Sequence, residues 1–135
     1  MFSDTQYQTN VPIYLQIMLQ IKQRIITGEW PPGEKVPPVR ELAEQFGVNP
    51  NTMQRSLSEL EREGFLYTER TAGRFTTTDT ALIRREREEL AGRVTSHYLT
   101  QMQKLGYTGE EIAAAIASCM PQEGGKGPKG GRGTL

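Results

Sequence analysis

The sequence is short of the residues that reactive or cross-linking chemistry needs. One cysteine in 135 residues, Cys119, excludes an internal disulfide and fits a reducing cytoplasm. A single histidine, His97, rules out a structural zinc site with its usual four Cys and His ligands. Catalysis needs a positioned base, nucleophile or metal. His97 falls beside the apolar stripe of a long helical segment, with no Ser or Cys in a triad-like context, and reads as a surface or interface residue. No enzyme activity and no cofactor are expected. Hydrophobic residues amount to 36%, enough for a small core. No apolar run approaches the ~18–20 residues of a membrane helix. The opening Met-Phe-Ser-Asp-Thr-Gln has neither a basic nor an apolar stretch, so no signal peptide is expected.

Net charge is lacking as well, since 16 Lys and Arg balance 16 Asp and Glu. This excludes a polycationic coat for nucleic acid, but it leaves a sequence-specific reader open, because such a reader depends on where its basic groups sit. Residues 1–78 hold eight basic and nine acidic groups, 79–120 five and six, and 121–135 three and one.

What is present is a succession of short amphipathic segments. Residues 1–10 are polar and without period, and read as a flexible arm. Ile13, Ile17, Ile21 and Ile25 then recur every fourth residue, widened by Tyr14 and Met18, as the buried face of a helix that opens at Pro12 and ends at Gly28. Pro-Pro-Gly at 31–33 and Pro-Pro at 37–38 exclude a helix there and leave room for a small edge strand at Lys35-Val36. A second helix places Val39, Leu42, Ala43 and Phe46 on one face and stops at Gly47. Asn49 can cap a third helix, with Pro50 at its first position. That helix turns Met53, Leu57 and Leu60 inward and Asn51, Gln54, Arg55, Ser58 and Arg62 outward. Two β-prone stretches, 65–68 and 74–78, flank a turn at 71–73 and form a hairpin. Asp79 can cap a helix over about Thr80–Leu105, ~39 Å long at 1.5 Å per residue. The capping-box pattern Thr108-Gly109-Glu110-Glu111 opens a last short helix. The Gly-rich tail 121–135 is expected to be disordered.

Helix 39–46, turn 47–49 and helix 50–63 make a helix-turn-helix. In that motif the N-terminal end of the second helix enters the major groove. Asn51 and Gln54 can pair with adenine edges and Arg55 with guanine. Asn49 and Thr52 are short enough for a phosphate or a base. Spacing alone is equally compatible with a helix pair that touches no DNA. The hairpin tilts the balance, because a turn flanked by Arg70 and Arg74 beside a helix-turn-helix has the make-up of a wing.

These stretches resemble the GntR family. Pro12-Ile13-Tyr14-Leu15-Gln16-Ile17, Gly28-Glu29-Trp30-Pro31-Pro32-Gly33 and Arg40-Glu41-Leu42-Ala43 are similar to its winged helix-turn-helix motifs, in the same order. Val48-Asn49-Pro50-Asn51-Thr52 with Leu60-Glu61-Arg62-Glu63-Gly64 resembles its YtrA-like subfamily. The likeness spans about residues 11–76 and extends weakly into 79–120. It implies a bacterial repressor that binds a palindromic operator as a homodimer and controls a transporter operon. Arg40 would then contact DNA from the second helix. Asn49, Asn51 and Gln54 would serve the recognition helix, with Arg55 at its flank and residues 70–74, including Thr71, as the wing. Three positions depart from the family pattern. Pro38 stands where a capping serine is frequent, Thr71 where a wing glycine is usual, and Gln54 where other branches often have arginine.

The expected fold is mainly α with a small β-hairpin: a winged helix-turn-helix domain over 11–78, then a two-helix dimerisation region over 79–120. Leu90, Val94, Tyr98, Met102 and Leu105 form a stripe too long for one short helix to cover, and Ile112 and Ile116 extend it. A symmetry mate is the simplest cover; the alternative folds the stripe back on the winged domain. The region is too small to enclose a ligand of several hundred Å³ in one protomer, which places any effector between protomers. Two rival functions stay open: a small-molecule sensor released from DNA by its effector, and a winged helix that binds only protein.

Overall fold

A computed structural model describes Tyr7 and residues 9–121. The disordered tail expected over 121–135 falls outside these residues apart from Pro121, as does most of the expected arm. The order is α1 (Ile13–Thr27), α2 (Val39–Phe46), α3 (Pro50–Arg62), β1 (Leu66–Glu69), β2 (Gly73–Thr76), α4 (Thr80–Lys104) and α5 (Gly109–Cys119). The chain divides into two compact units, 1–90 and 91–135, and the boundary falls inside α4 rather than at the expected 78/79. The first turns of α4 belong to the first unit because Leu82 and Ile83 pack on its core.

In the first unit α1, α2 and α3 close over Ile17, Met18, Ile21, Ile25, Leu42, Ala43, Phe46, Met53, Leu57 and Leu60, with Phe65 and Leu66 from the start of the hairpin. The isoleucine period of α1 runs one turn past this core: Ile17, Ile21 and Ile25 are buried, but Ile13 is 42% exposed. Pro12 is the residue before the helix, with ψ 137°, and not part of its first turn as expected. Its carbonyl accepts from the Leu15 and Gln16 amides. No side chain caps α2, whose N-cap position is Pro38. Asn49 caps α3: its Oδ1 accepts from the Asn51 amide at 2.7 Å, and Pro50 follows at the position where a missing N–H costs nothing.

β1 and β2 pair antiparallel with Leu66 opposite Thr76 and Glu69 opposite Gly73. The free edge of β2 is covered by residues 33–36. The Val36 amide donates to the Arg74 carbonyl at 2.8 Å, the Thr76 amide to Glu34, and the Gly33 amide to Thr76. The expected edge strand at Lys35-Val36 is therefore one bridge, Lys35 opposite Phe75, cut short by the prolines on both sides. Gly73 supplies the turn's left-handed residue at φ 109°, and a Cβ there would lie 3.1 Å from Cε of Lys35.

Lys22 ties the helices together. Its Nζ lies 2.9 Å from Glu63 and 3.2 Å from Glu86, and over the Phe65 ring. Asp79 caps α4 by accepting from the Leu82 amide at 3.1 Å. In the second unit Thr108 and Glu111 form the expected capping box at the start of α5. Among described residues 91–121 only Ile112 is buried.

Within the arm expected to be flexible, Tyr7 is fixed. It packs against the core, and its hydroxyl donates to the Phe46 carbonyl at 2.8 Å. Burial pushes its phenol above the ordinary 10.0, opposed by a hydrogen bond from Gln20. The unfolded chain then releases this proton at lower pH than the folded one, so the Tyr7 contribution is full below about pH 10 and falls as pH rises through the raised value. Tyr7→Phe should cost about 1 kcal/mol at neutral pH by urea unfolding. The gap to the parent protein should narrow above pH 10. Asn49→Ala should cost about 1 kcal/mol through the lost cap, read as a lower urea midpoint at unchanged slope.

Candidate nucleic-acid interface

The reversal between α2 and α3 is made by Gly47 at φ 70°, ψ 37°. Its amide and that of Val48 reach back to the last carbonyls of α2, closing that helix end. Nothing lies within 4 Å of a Cβ built at Gly47, so the glycine serves the backbone and not a close approach. Val48 packs beneath the turn as a half-buried residue.

α3 has two unlike faces. Met53, Ser56, Leu57 and Leu60 are fully buried. Ser56, which hydropathy alone does not place inside, is held by its hydroxyl between the Tyr14 carbonyl at 3.0 Å and the Thr52 carbonyl at 3.2 Å. Asn51, Gln54, Arg55 and Ser58 are exposed, and Thr52 is half-buried at their margin. Asn49 is exposed at the helix start with its Oδ1 committed to the cap, which leaves its amide N–H₂. Gln54 Nε2 donates to Ser58 at 2.9 Å. That contact uses one of its two N–H donors; the other and the amide oxygen remain, the pair an adenine edge requires. Arg55 lies over the Tyr14 ring, 3.7 Å from its centroid.

The basic residues from α1 to β2 fall into two groups. Arg62 is bonded to Glu59, Arg74 Nε lies 3.3 Å from Glu61, Arg24 lies 3.8 Å from Glu29 and over the Phe46 ring, and Lys22 is held by its two carboxylates. Arg40, Arg55, Arg70 and Lys35 are exposed with no carboxylate partner among the described residues. Arg74, expected as a wing contact, is half-buried and spent on joining β2 to the end of α3. Arg70 and Thr71 stay exposed at the turn. Lys35 was not foreseen; its stem lies along Gly73, which puts an unneutralised ammonium beside the same turn. A lysine between proline pairs gives no periodic signal that would have placed it there.

The expected dimerisation stripe is uneven. Val94 is 70% exposed, Leu105 72% and Ile116 44%. Leu90, Tyr98 and Met102 are half-buried. Ile112 is a correction: it is only 4% exposed in the single chain, which leaves it almost no surface for a partner. Leu99, Tyr107 and Met120, outside the expected set, add exposed apolar surface.

A family model for bacterial regulatory proteins of the gntR family matches residues 13–75. The chain is 42% identical over 113 residues to the HTH-type transcriptional regulator YhcF of Bacillus subtilis, covering 84% of this chain and 93% of that protein. It is 33% identical over 119 residues to the HTH-type transcriptional repressor YtrA of the same organism, covering 81% and 90%. A solved GntR family transcriptional regulator from Listeria monocytogenes superposes with a TM-score of 0.77 at 36% identity, over 84% of this chain and all of that one. A transcriptional regulator from Oenococcus oeni gives 0.70 at 28% identity, over 85% and 96%. None of these relatives is described as an enzyme. The two-faced α3, the covered hairpin and likeness along nearly the full length of these regulators agree: the chain belongs to the GntR family, on its YtrA-like branch, and is a DNA-binding transcription regulator.

Proposed function

We propose that the protein is a cytoplasmic repressor that binds a palindromic operator as a homodimer and controls a transporter operon. The observation that carries the reading is the outer face of α3. Asn51 and Gln54 stand exposed on a helix whose opposite face is wholly buried, so their positions are fixed by the core; Gln54 spends one N–H on Ser58 and keeps a donor and its amide oxygen for a base edge. Arg40, Arg70 and Thr71, with Thr52 and the Asn49 amide, supply phosphate contacts that set the register. Repression is taken from the printed description of YtrA, a relative along most of the chain.

A homodimer is supported by the exposed apolar residues of the second unit. Val94, Leu105 and Ile116 are exposed apolar side chains within one unit, surface that a second copy of the chain would cover. Two-fold symmetry would then match a palindromic site.

Selection of bound duplexes from random DNA tests the reading; an enriched palindrome is expected, and no enrichment sinks it. Against the enriched duplex, Gln54→Ala should cost about 1–3 kcal/mol and relax preference at one position of each half-site. Arg70→Ala should weaken all duplexes alike and reduce the salt slope by about 0.9. Val94→Asp with Leu105→Asp should shift sedimentation from dimer to monomer and abolish tight operator binding. A pair that still sediments as the parent does would remove these residues from the interface. Full operator affinity after alanine replacement of Asn51 and Gln54 together would remove them from base reading, whereas a winged helix that binds only protein predicts that no duplex is enriched at all.

A further inference from the structure

We propose that Tyr14 is a positioning residue for DNA binding: its ring holds Arg55 at the side of α3, so that Arg55 grips the phosphate backbone beside the groove and not a base edge. The inference rests on the DNA-reading role proposed above.

The guanidinium lies 3.7 Å from the Tyr14 ring centroid, well inside the ~6 Å over which a ring attracts a cation. Tyr14 is itself fixed. It packs against the core, and its carbonyl accepts from Ser56, the residue next to Arg55. The first turn of α1 is thus latched to α3 at the point where Arg55 leaves the helix. At about 100° per residue, Gln54 and Arg55 fall on opposite sides of the line through Asn51 and Ser58. Arg55 is on the side of Thr52 and Tyr14. Leaning on the ring, it points away from the strip that Asn51 and Gln54 present.

Its donors remain available. Stacking engages the face of a guanidinium and leaves N–H groups at its edge. No carboxylate pairs with Arg55 among the described residues, whereas Arg62 and Arg74 are both neutralised. Pro12, Ile13, Tyr14, Asn51, Thr52 and Arg55 line one open cleft. α1 begins at that cleft without a side-chain cap. A phosphodiester at its mouth meets one unspent cation already held in place. An exposed arginine must ordinarily be ordered on binding, and the ring has done that beforehand.

The test uses the full chain, the duplex it enriches from random DNA and a scrambled duplex of equal length. Arg55→Ala should weaken both by the same factor, about tenfold, and lower the salt slope by about 0.9. Tyr14→Leu should reproduce part of both effects, Tyr14→Phe should keep parent affinity and slope, and Tyr14→Leu should add nothing in the Arg55→Ala background. A Tyr14→Leu loss that persists undiminished in that background overturns the inference, because the ring then acts other than through Arg55. A loss on Arg55→Ala confined to the enriched duplex also overturns it, and decides the matter even where Tyr14→Leu is too unstable to measure. Enrichment of no duplex at all removes the DNA-reading role and this inference together; enrichment with either overturning result removes this inference alone.

Discussion

A helix that reads DNA has to be gripped from behind, and most of the first unit is the grip. Met53, Leu57 and Leu60 are driven into the core by burial, at a few kcal/mol apiece for side chains of this size. Burial is not directional, however, and leaves a helix free to slide or roll by small amounts. Ser56 supplies what the apolar residues lack. Its hydroxyl ties α3 to the Tyr14 carbonyl at one point along the helix, and Lys22 does the same at the far end through Glu63. The register of the outer face follows from these two ties and the packing between them.

Much of this was legible from pattern. The inward residues of α3, the cap at Asn49, the left-handed Gly47 and the capping box at Thr108 follow from local rules of period and backbone freedom, which act within one turn of helix. What was not legible depends on residues distant in sequence. The isoleucine period includes Ile13 as readily as Ile17, because a period does not report where the neighbouring helix stops. The pairing of Arg74 with Glu61 joins a strand to a helix, and nothing in the composition of either distinguishes Arg74 from Arg70. Ile112 was assigned to an interface since apolar residues on a short helix look the same whether covered by their own chain or by another. The length of α4 misled in a second way: its first turns belong to the winged unit, so the division between the units lies twelve residues later, at 90/91 and not 78/79.

Gly73 shows how the wing is built from a distance. The hairpin turn needs a residue with positive φ, which calls for glycine on backbone grounds. The stem of Lys35 lies in the space beside Gly73 where a side chain would stand, and would have to shift slightly to admit one. Lys35 is held there by the ladder between residues 33–36 and β2, and that ladder stays short because prolines flank it. The proline pairs that looked like mere helix breakers therefore set the wing's third edge.

The pairing of Arg62 and Arg74 with glutamates has a consequence for how the regulator spends its time. Non-specific attraction to DNA grows with the number of cations that can displace counterions from the phosphates. Where half of the local arginines are already answered from within, the hold on arbitrary sequence is weaker than the count of arginines alone implies. A genome offers of the order of 10⁶–10⁹ such sites, which compete with the right one by number and not by fit. A reader with fewer unpaired cations is held less by those competing sites.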